Sequence, residues 1–350
     1  MSWKKAGFLV LGVFVLFIAI FFTDEKPPER TDVNFWKIDF SKIIYNSPGG
    51  EVSTSFISEA FELERISIGL KENPIFLMRG EDNTSKTTYT YEVGFQVKNL
   101  FTELSNLNTK TMAEADEDII SKFELKEGVS PFLEFKDGDS TLKKMILGKE
   151  NSDKSIRYAL ADGFLISIGN YIGNKFTIDK TELREKQYFP ISSHQFKKLI
   201  FKSEKLFLSL ENRFTKKDNV VTQNWFKKES KFSRLNPNTS NRLDSLLRGV
   251  NVDLYPDSKN GQGFAIIEEL LKDSPSSSIE IEVTNGLTYK VQFYPRTNFN
   301  EKNYVPAVRT IEGVVEESPV YLVEATIKDL FELFIKIKEE PEWQDPPKKN

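Results

Sequence analysis

Alternating apolar and polar residues predict several pairs of antiparallel strands. In residues 278–295, apolar residues alternate with polar ones on both sides of Asn285-Gly286. An Asn-Gly pair between such runs is the strongest short hairpin signal, because a type I′ turn needs a positive φ at both central residues. Asp162-Gly163 and Asp137-Gly138 separate apolar runs in the same way. The pattern therefore predicts three hairpins.

Apolar residues at helical spacing predict three longer helices, around Leu100, Leu246 and Leu330. Strand pairs interrupted by single helices are typical of α+β proteins, in which helices cover one face of antiparallel sheets. We therefore predict an α+β fold that consists of an N-terminal transmembrane helix followed by two similar, duplicated domains of antiparallel sheet with covering helices.

The transmembrane prediction rests on residues 6–22, which contain no charged side chain. A helix of this length reaches the short end of what crosses a bilayer. Lys4 and Lys5 precede the segment and acidic residues follow it, which places the N-terminus in the cytoplasm and the bulk of the chain outside, in the periplasm. A cleaved signal peptide is the alternative, but bulky residues stand where a cleavage site needs small ones. The expected location is the cytoplasmic membrane, as a single-pass protein.

The second half of the chain echoes the first. Residues 64–70 resemble residues 204–210, a helix and a hairpin follow in each half, and residues 157–163 resemble residues 309–313. Two diverged copies of one unit explain these matches better than coincidence does. The predicted divisions are a cytoplasmic stub and anchor (1–23), a linker (24–34), a first α+β domain (35–190), a second, similar domain (191–337) and a disordered tail (338–350).

Composition excludes several classes of function. The chain has 350 residues, with 48 Lys and Arg against 52 Asp and Glu, so its net charge is −4 and gives no reason to expect nucleic acid as a partner. Cysteine is absent, which excludes disulfides, thiolate nucleophiles and iron–sulfur clusters. A single histidine excludes a metal site made from a pair of histidines within one chain. We predict no cofactor and no metal.

Candidate chemistry is sparse. His194 follows Ser192 and Ser193, but neighbours in sequence rarely form a nucleophile–base pair, so a surface or interdomain histidine is the favoured interpretation. The acidic run from Glu114 to Asp118 lacks the spacing of a calcium loop and is read as a solvated helix start.

Two further motifs are weak. Residues 169–175 superficially resemble a phosphate loop, but no Ser or Thr follows the lysine at the required place. Residues 225–228, Trp-Phe-Lys-Lys, mix aromatic and basic side chains as single-strand binders do, and are interpreted as a half-buried strand with solvated lysines. No site residue, whether catalytic, cofactor-binding or metal-ligating, is predicted.

The chain resembles a bacterial membrane-anchored family classed as a domain of unknown function (the four-three-four-zero family). The resemblance rests on the N-terminal apolar segment, on the strand ERISIGL at 64–70 and on the block 145–200, with its Ile/Leu-Gly strand end, tyrosine strand and apolar run. Members of that family are often annotated beside ABC-type transport components, including gliding-type auxiliary proteins. The resemblance therefore implies an accessory role in the cell envelope, and it brings no catalytic residues.

Three hypotheses of function stay open. The leading one is a non-enzymatic accessory or binding subunit of an ABC-type transport or other envelope complex, with a membrane-protein partner. The second is a stand-alone module that binds a ligand or polymer between its two domains. The third is an envelope hydrolase that uses two carboxylates, although no pair of acids stands out in the sequence.

Overall fold

Two large antiparallel sheets make up most of the described chain. The computed structural model describes residues 36–48, 56–68, 74–107, 111–217 and 220–344. The first sheet contains nine strands: β1 (Lys42–Asn46), β2 (Phe61–Ile66), β3 (Ile75–Glu81), β4 (Thr88–Glu92), β5 (Thr111–Glu114), β6 (Phe132–Asp137), β7 (Ser140–Glu150), β8 (Ile156–Ala161) and β9 (Phe164–Gly169).

The second sheet contains eleven strands: β10 (Phe196–Ser203), β11 (Phe207–Lys217), β12 (Val220–Lys228), β13 (Phe232–Arg234), β14 (Val252–Leu254), β15 (Ser277–Val283), β16 (Thr288–Phe293), β17 (Thr297–Phe299), β18 (Lys302–Ile311), β19 (Val315–Glu316) and β20 (Val320–Val323). The helices are α1 (Phe95–Ser105), α2 (Glu117–Lys122), α3 (Asn170–Gly173), α4 (Pro237–Gly249), α5 (Phe264–Leu270) and α6 (Glu324–Glu339). The edge strands β4 and β14 both lie beside the segment that connects the two sheets, residues 177–195.

The two sheets share one strand order. The first runs β4-β3-β2-β1-β6-β7-β8-β9-β5, and the second runs β13-β12-β11-β10-β15-β16-β18-β20-β14. The two orders are identical when strands are counted within each half and the short β17 and β19 are set aside. The helices match as well, since α1 and α4 both follow the fourth strand of their half. Each strand of the first sheet therefore has a counterpart in the second.

The ladder registers correct one detail of the sequence comparison. In the first sheet the paired residues run from Tyr45 through Leu133 and Met145 to Ala161, and in the second sheet they run from Phe201 through Ile279 and Val291 to Arg309. Tyr45 and Phe201 hold the same place in the matching runs Lys-Ile-Ile-Tyr and Lys-Leu-Ile-Phe, so Ala161, not Arg157, is the counterpart of Arg309. The comparison of residues 157–163 with residues 309–313 is therefore wrong at the arginines, although a turn that contains a glycine with positive φ follows in both halves. The two buried arginines therefore serve different places in the fold.

The three predicted hairpins and the three predicted longer helices are confirmed. The turn at Asp162-Gly163 has a positive φ at both residues, as a type I′ turn requires. At Asn285-Gly286 only the glycine has a positive φ, because the connection between β15 and β16 is four residues long instead of two. The prediction of a type I′ turn is wrong there, although the hairpin itself forms.

The predicted α+β class is wrong, because the described chain is mostly antiparallel sheet with few helices. Three of the six helices, α2, α3 and α5, have only 6, 4 and 7 residues. Part of the apolar sequence forms strands that are followed by very short helices. Residues 164–176, for example, form the six-residue β9 before the four-residue α3. Short helices cannot cover a sheet face that spans nine strands.

The membrane prediction is also corrected. Within the described ranges, no helix is both long enough and apolar enough to cross a bilayer. This finding stands against the predicted N-terminal transmembrane helix, the single-pass topology and the location in the cytoplasmic membrane. The segment on which the prediction rested, residues 6–22, lies outside the described residues. The domain boundaries derived from sequence stay a prediction.

One contiguous cluster of buried apolar residues extends over both sheets, from Trp36 to Ile337. It joins the inward face of the first sheet, for example Leu63 and Leu133, to that of the second, for example Leu199 and Ile281. Both halves therefore contribute to a shared core, which fixes their relative position at the place where the site lies.

Lys227 in β12 caps the C-terminal end of α6, the longest of the described helices. Its ammonium donates to the carbonyl oxygens of Lys338 and Glu340 at 3.0 and 2.9 Å, where α6 runs out of intrahelical partners. The sequence interpretation placed Lys227 on the wet face of its strand, and that is wrong, because the side chain is buried.

Replacing Lys227 with methionine is expected to lower the free energy of unfolding by about 1–3 kcal/mol, because two carbonyls at the end of α6 lose their buried donor. Urea unfolding of the full chain measures the change, and hydrogen exchange shows whether the last turn of α6 frays. Lys228→Met is the matched control, since Lys228 is exposed and pairs with Glu211. Equal effects of the two variants would contradict the prediction.

Candidate functional site

The segment that connects the two sheets, residues 177–195, hydrogen-bonds to an edge strand of each. Arg184 forms a bridge with Val93 just beyond β4, and the amide of Gly94 donates to the carbonyl of Leu183. Three residues later, Gln187 forms a bridge with Asn251, and Val252 in β14 donates to the carbonyl of Lys186. We call the region where this segment meets β4 and β14 the junction.

A buried ion cluster lies at the junction around Arg184. The guanidinium donates to both carboxylate oxygens of Asp257 at 2.7 Å, and both side chains are fully buried. Lys180 lies 2.7 Å from the same carboxylate and also pairs with Glu59. This set, Arg184, Asp257, Lys180 and Glu59, is the Arg184 cluster. It joins the first half, the connecting segment and the loop after β14.

Three tyrosine rings enclose the Arg184 guanidinium. Its central carbon lies 4.5 Å from the ring centre of Tyr89, 4.3 Å from that of Tyr91 and 4.7 Å from that of Tyr255. Tyr91 and Tyr255 also meet edge to face at 4.9 Å. Cations over aromatic faces are stabilised most where water is excluded. The cage therefore compensates part of the cost of burying the arginine.

A second ion cluster surrounds Arg309 in β18. Its guanidinium donates to Glu317, to Glu92 at 3.1 Å and to the carbonyl oxygen of Tyr188. Glu92 in turn accepts from Lys98 in α1 at 3.1 Å. Arg309, Glu92 and Glu317 are each 5% exposed or less. This set, Arg309, Glu317, Glu92 and Lys98, is the Arg309 cluster, and it also draws on both sheets.

The charges in these clusters stabilise one another. Burial disfavours the charged form of Asp257, but hydrogen bonds from Arg184 outweigh burial and hold the pKa of that carboxyl below its ordinary 3.8. Burial likewise opposes the charge of Arg309, yet Glu317 and Glu92 raise the pKa of its guanidinium. Asp257 and Arg309 are therefore charged throughout the physiological pH range.

The outer edge of β4 is closed by the second half of the chain. The amide of Thr90 donates to the hydroxyl of Ser318 at 2.9 Å, and the amide of Ser318 donates back to the carbonyl of Thr90 at 2.8 Å. The Tyr91 hydroxyl donates to the carbonyl of Pro319 at 3.1 Å. An edge strand with free amides invites pairing with other chains. Here residues 317–319 occupy that edge.

A groove of about 670 Å³ opens at the junction, beside the Arg309 cluster. The side chains that line it come from α1, from the connecting segment, from the end of α4 and from Asn251. They are Phe95, Lys98, Glu185, Gln187, Pro190, Ile191, Ser192, Ser193, His194, Arg248 and Asn251. We call it the junction groove. Most of its lining is polar, but the Phe95 ring is 71% exposed.

Glu185 is the acid among the residues that line this groove. Burial, together with the nearby charge of Glu92, raises the pKa of its carboxyl above the ordinary 4.5, although the amide of Gln187 donates to it at 3.1 Å. The folded state thus binds a proton at Glu185 more tightly than the unfolded state does. The resulting stabilisation is complete below about pH 4.5 and is lost as the pH rises through the folded-state pKa.

We therefore expect Glu185→Gln to be more stable than the wild type at neutral pH, and the difference to vanish as the pH falls below about 4.5. Urea unfolding at a series of pH values measures it. Glu268→Gln, on the exposed face of α5, controls for the loss of one negative charge. An advantage of the glutamine variant that grows toward low pH would contradict the prediction.

His194 was predicted to be a surface or interdomain histidine. It is exposed and lines the junction groove. It sits in a short 3-10 turn, Ser193–Gln195, and its carbonyl accepts from the side chain of Gln223. The amide of Ser192 donates to the side chain of Gln195 at 3.0 Å, so this serine helps to form the turn. Among the described residues, no hydrogen bond links Ser192 or Ser193 to the imidazole.

The acidic run forms a helix start, as predicted. Asp116 accepts from the amide of Ile119 at 2.8 Å and caps α2, while Glu117 and Asp118 occupy its first turn. Over the ranges that the structure describes, no group of three or more His, Asp or Glu side chains could hold a metal ion.

The structure also shows where the two weak motifs, residues 169–175 and 225–228, lie. Residues 169–175 contain the end of β9 and the short α3, and Lys175 pairs with the side chain of Gln96. In the aromatic and basic run, Trp225 is buried and its indole donates to Asp244 at 2.8 Å. Neither motif reaches the junction groove.

Sequence reasoning missed the two ion clusters. One signal was present for Arg309, because it shares the strand face of Ala307 and Ile311, which are both fully buried. A charged residue in the inward phase of an apolar strand indicates a buried partner. Arg184 gives no such signal, since polar residues surround it in sequence.

The comparisons with known proteins give one match. A family model described as "Domain of unknown function (DUF4340)" matches residues 82–260, which is just over half of the chain. The matched region includes Glu92, Arg184 and Asp257 but ends before Arg309. No curated protein and no solved structure matches the chain. The chain belongs to the DUF4340 family, a domain family of unknown function.

Proposed function

We propose that this protein is a non-enzymatic accessory subunit that binds a partner protein through the junction groove. The observation that carries the proposal is the exposed Phe95 ring at a concave surface whose walls come from both halves of the chain. Exposed aromatic side chains at concave surfaces are typical anchors of protein interfaces. The resemblance noted from sequence suggests an ABC-type transport component as the partner.

The ion clusters support this proposal by making the groove rigid. Lys98 in the groove wall is held by Glu92, and Glu92 is held by Arg309. Glu185 is fixed through its backbone, since its amide donates to Glu92 and its carbonyl accepts from Tyr255. A preorganised surface loses little conformational freedom when a partner binds, and this favours affinity.

The hydrolase hypothesis gains less from the geometry. A paired-acid mechanism needs two carboxylates that face one substrate. Among the residues that line the junction groove, Glu185 is the single carboxylate. The second hypothesis, a stand-alone module for a ligand or polymer, is favoured by the volume of the groove, which falls in the usual range for small-molecule sites.

Affinity purification of the full chain after crosslinking in cells tests the proposal. We expect an ABC-type ATPase or permease in stoichiometric amount, and a binding loss of roughly thirtyfold for Phe95→Ala, the usual cost of removing an aromatic anchor. Phe214→Ala is the matched control, because that ring is 65% exposed and lies outside the groove lining.

Two outcomes would contradict the proposal. One is recovery of the protein alone after efficient crosslinking. The other is equal recovery of the partner with Phe95→Ala and Phe214→Ala. A small molecule retained by the purified protein in native mass spectra, and lost in the Phe95 variant, would favour the stand-alone module instead.

A further inference from the structure

A second groove, of about 690 Å³, lies on the other half of the chain, away from the junction. Its apolar lining comes from β10, from the turn after β10 and from α6, through Phe201, Leu206, Phe331 and Ile335. Ser277, at the start of β15, also lines it. We call it the β10–α6 groove. Ile335 is 52% exposed there.

The shared strand order identifies the matching place in the first half. The run Lys-Ile-Ile-Tyr in β1 corresponds to Lys-Leu-Ile-Phe in β10. Tyr45 lies opposite Leu133 in β6, and Phe201 lies opposite Ile279 in β15, so Tyr45 and Phe201 are counterparts. Each ring also packs on a phenylalanine from the segment after the last strand of its half, at 5.1 Å in both cases.

In the first half this place is occupied by the chain itself. Phe56 and Ile57, in the long connection between β1 and β2, pass over Tyr45. The amide of Ile57 donates to the carbonyl of Phe176 at 2.8 Å, and the Tyr45 hydroxyl donates to the carbonyl of Ile57 at 2.7 Å. Phe56 is buried, with its ring 4.7 Å from the guanidinium of Arg157.

In the second half, the connection between β10 and β11 is too short to cover the groove. Residues 47–60 connect β1 to β2, whereas residues 204–206 alone connect β10 to β11. The short turn is closed on itself, since the amide of Leu206 donates to the Ser203 hydroxyl at 3.1 Å. The β10–α6 groove therefore corresponds to the surface that Phe56 and Ile57 cover in the first half, but the second half has no equivalent segment to cover it.

One polar atom in the groove supports a peptide occupant. Ser277 is buried, and its hydroxyl has no hydrogen-bond partner in the structure. A buried hydroxyl without a partner is costly, and a backbone amide or carbonyl from outside would satisfy it. In the first half, the occupant is likewise held by backbone hydrogen bonds as well as by apolar contact.

We propose that the β10–α6 groove binds an extended peptide segment of a partner protein, with an aromatic and an aliphatic residue at adjacent positions. The pair Phe56–Ile57 shows the chemistry of the occupant. The occupant is not a second copy of this chain, because each copy already uses its Phe56–Ile57 segment in its own first half. This surface does not depend on the junction groove, and its test involves different residues.

A fluorescein-labelled peptide with the sequence of residues 53–60 is the probe, and fluorescence anisotropy with the full chain is the measurement. We expect saturable binding that Ile335→Glu weakens at least about tenfold, because the variant places a charge in an apolar groove. Ile266→Glu is the matched control, since Ile266 in α5 is 44% exposed and lies outside this groove. A peptide with Ala at both central positions is expected not to bind.

The exposure of Ile335 and Ile266 keeps both variants folded, and circular dichroism checks this. Three outcomes would overturn the proposal. They are no saturable binding, equal binding to the wild type and to Ile335→Glu, and equal binding of the Ala peptide. Sedimentation of the chain alone tests whether a second copy occupies the groove. A dimer that Ile335→Glu dissociates would identify a second copy as the occupant and would also overturn the proposal.

Discussion

Replacing Asp257 with alanine should lower the free energy of unfolding by about 3–5 kcal/mol, the usual cost of leaving one member of a buried ion pair without its partner. The variant removes both hydrogen bonds from the fully buried Arg184 guanidinium and the charge that faces Lys180. Urea unfolding of the full chain at neutral pH measures the loss. A change below about 1 kcal/mol would mean that water reaches the guanidinium.

Two further variants separate the ion pair from the general effect of mutation. Asp39→Ala breaks an ion pair with Arg65 in which Asp39 is 89% exposed, and surface pairs contribute little to stability. The double variant Arg184→Met, Asp257→Leu replaces the pair with apolar side chains and should recover much of the loss. A double variant as unstable as the sum of its single variants would contradict a direct coupling.

The same residue predicts a pH dependence. Because its folded-state pKa lies below 3.8, Asp257 stabilises the protein above about pH 3.8, and this contribution is lost as the pH falls through the lower folded-state value. The difference between the wild type and Asp257→Asn is therefore expected to be constant from neutral pH down to about 4. It should shrink only in stronger acid.

Replacing Arg309 with methionine should be equally severe, with a loss of about 3–5 kcal/mol, because Glu92 and Glu317 would then share a buried site without their cation. In the wild type, the guanidinium donates to both carboxylates and to the carbonyl of Tyr188. The stability of Arg309→Lys should lie between that of the wild type and that of Arg309→Met, since an ammonium keeps the charge but not the planar set of five donors.

The effect of acid distinguishes this loss from simple misfit of the methionine. In the variant, two buried like charges raise the pKa of the pair, so protonation at moderately low pH relieves the repulsion. We expect the destabilisation to shrink as the pH falls from 7 to about 4. The triple variant with Glu92→Gln and Glu317→Gln should be more stable than Arg309→Met at pH 7. A pH-independent loss would contradict the explanation.

Alternation along the chain was sufficient to predict the hairpins, because the strands of a half-buried sheet alternate in a way that local sequence records. The proportion of helix was overestimated, since three of the helices, α2, α3 and α5, have seven residues or fewer. The two β17 and β19 strands were missed because each has three residues or fewer.

The candidate site was beyond the reach of sequence for a physical reason. The groove and the ion clusters are made by contacts between residues far apart in the chain, such as Arg184 with Asp257 and Arg309 with Glu92. Local patterning fixes which face of a strand is apolar, but it does not fix which charged residue meets which. Only Arg309 could be suspected, from its place among inward-facing apolar residues.

The closure of β4 by residues 317–319 has a consequence for synthesis on the ribosome. Thr90 and Ser318 are 228 positions apart, and Arg309 follows Glu92 by 217 positions. At about 5–20 residues per second, β4 waits roughly 11–46 s before its closing segment is made. During that interval the edge of β4 and the Glu92 carboxylate are without their native partners. The junction therefore cannot be completed until late in synthesis, and the nascent first half is where pairing with another chain competes with folding.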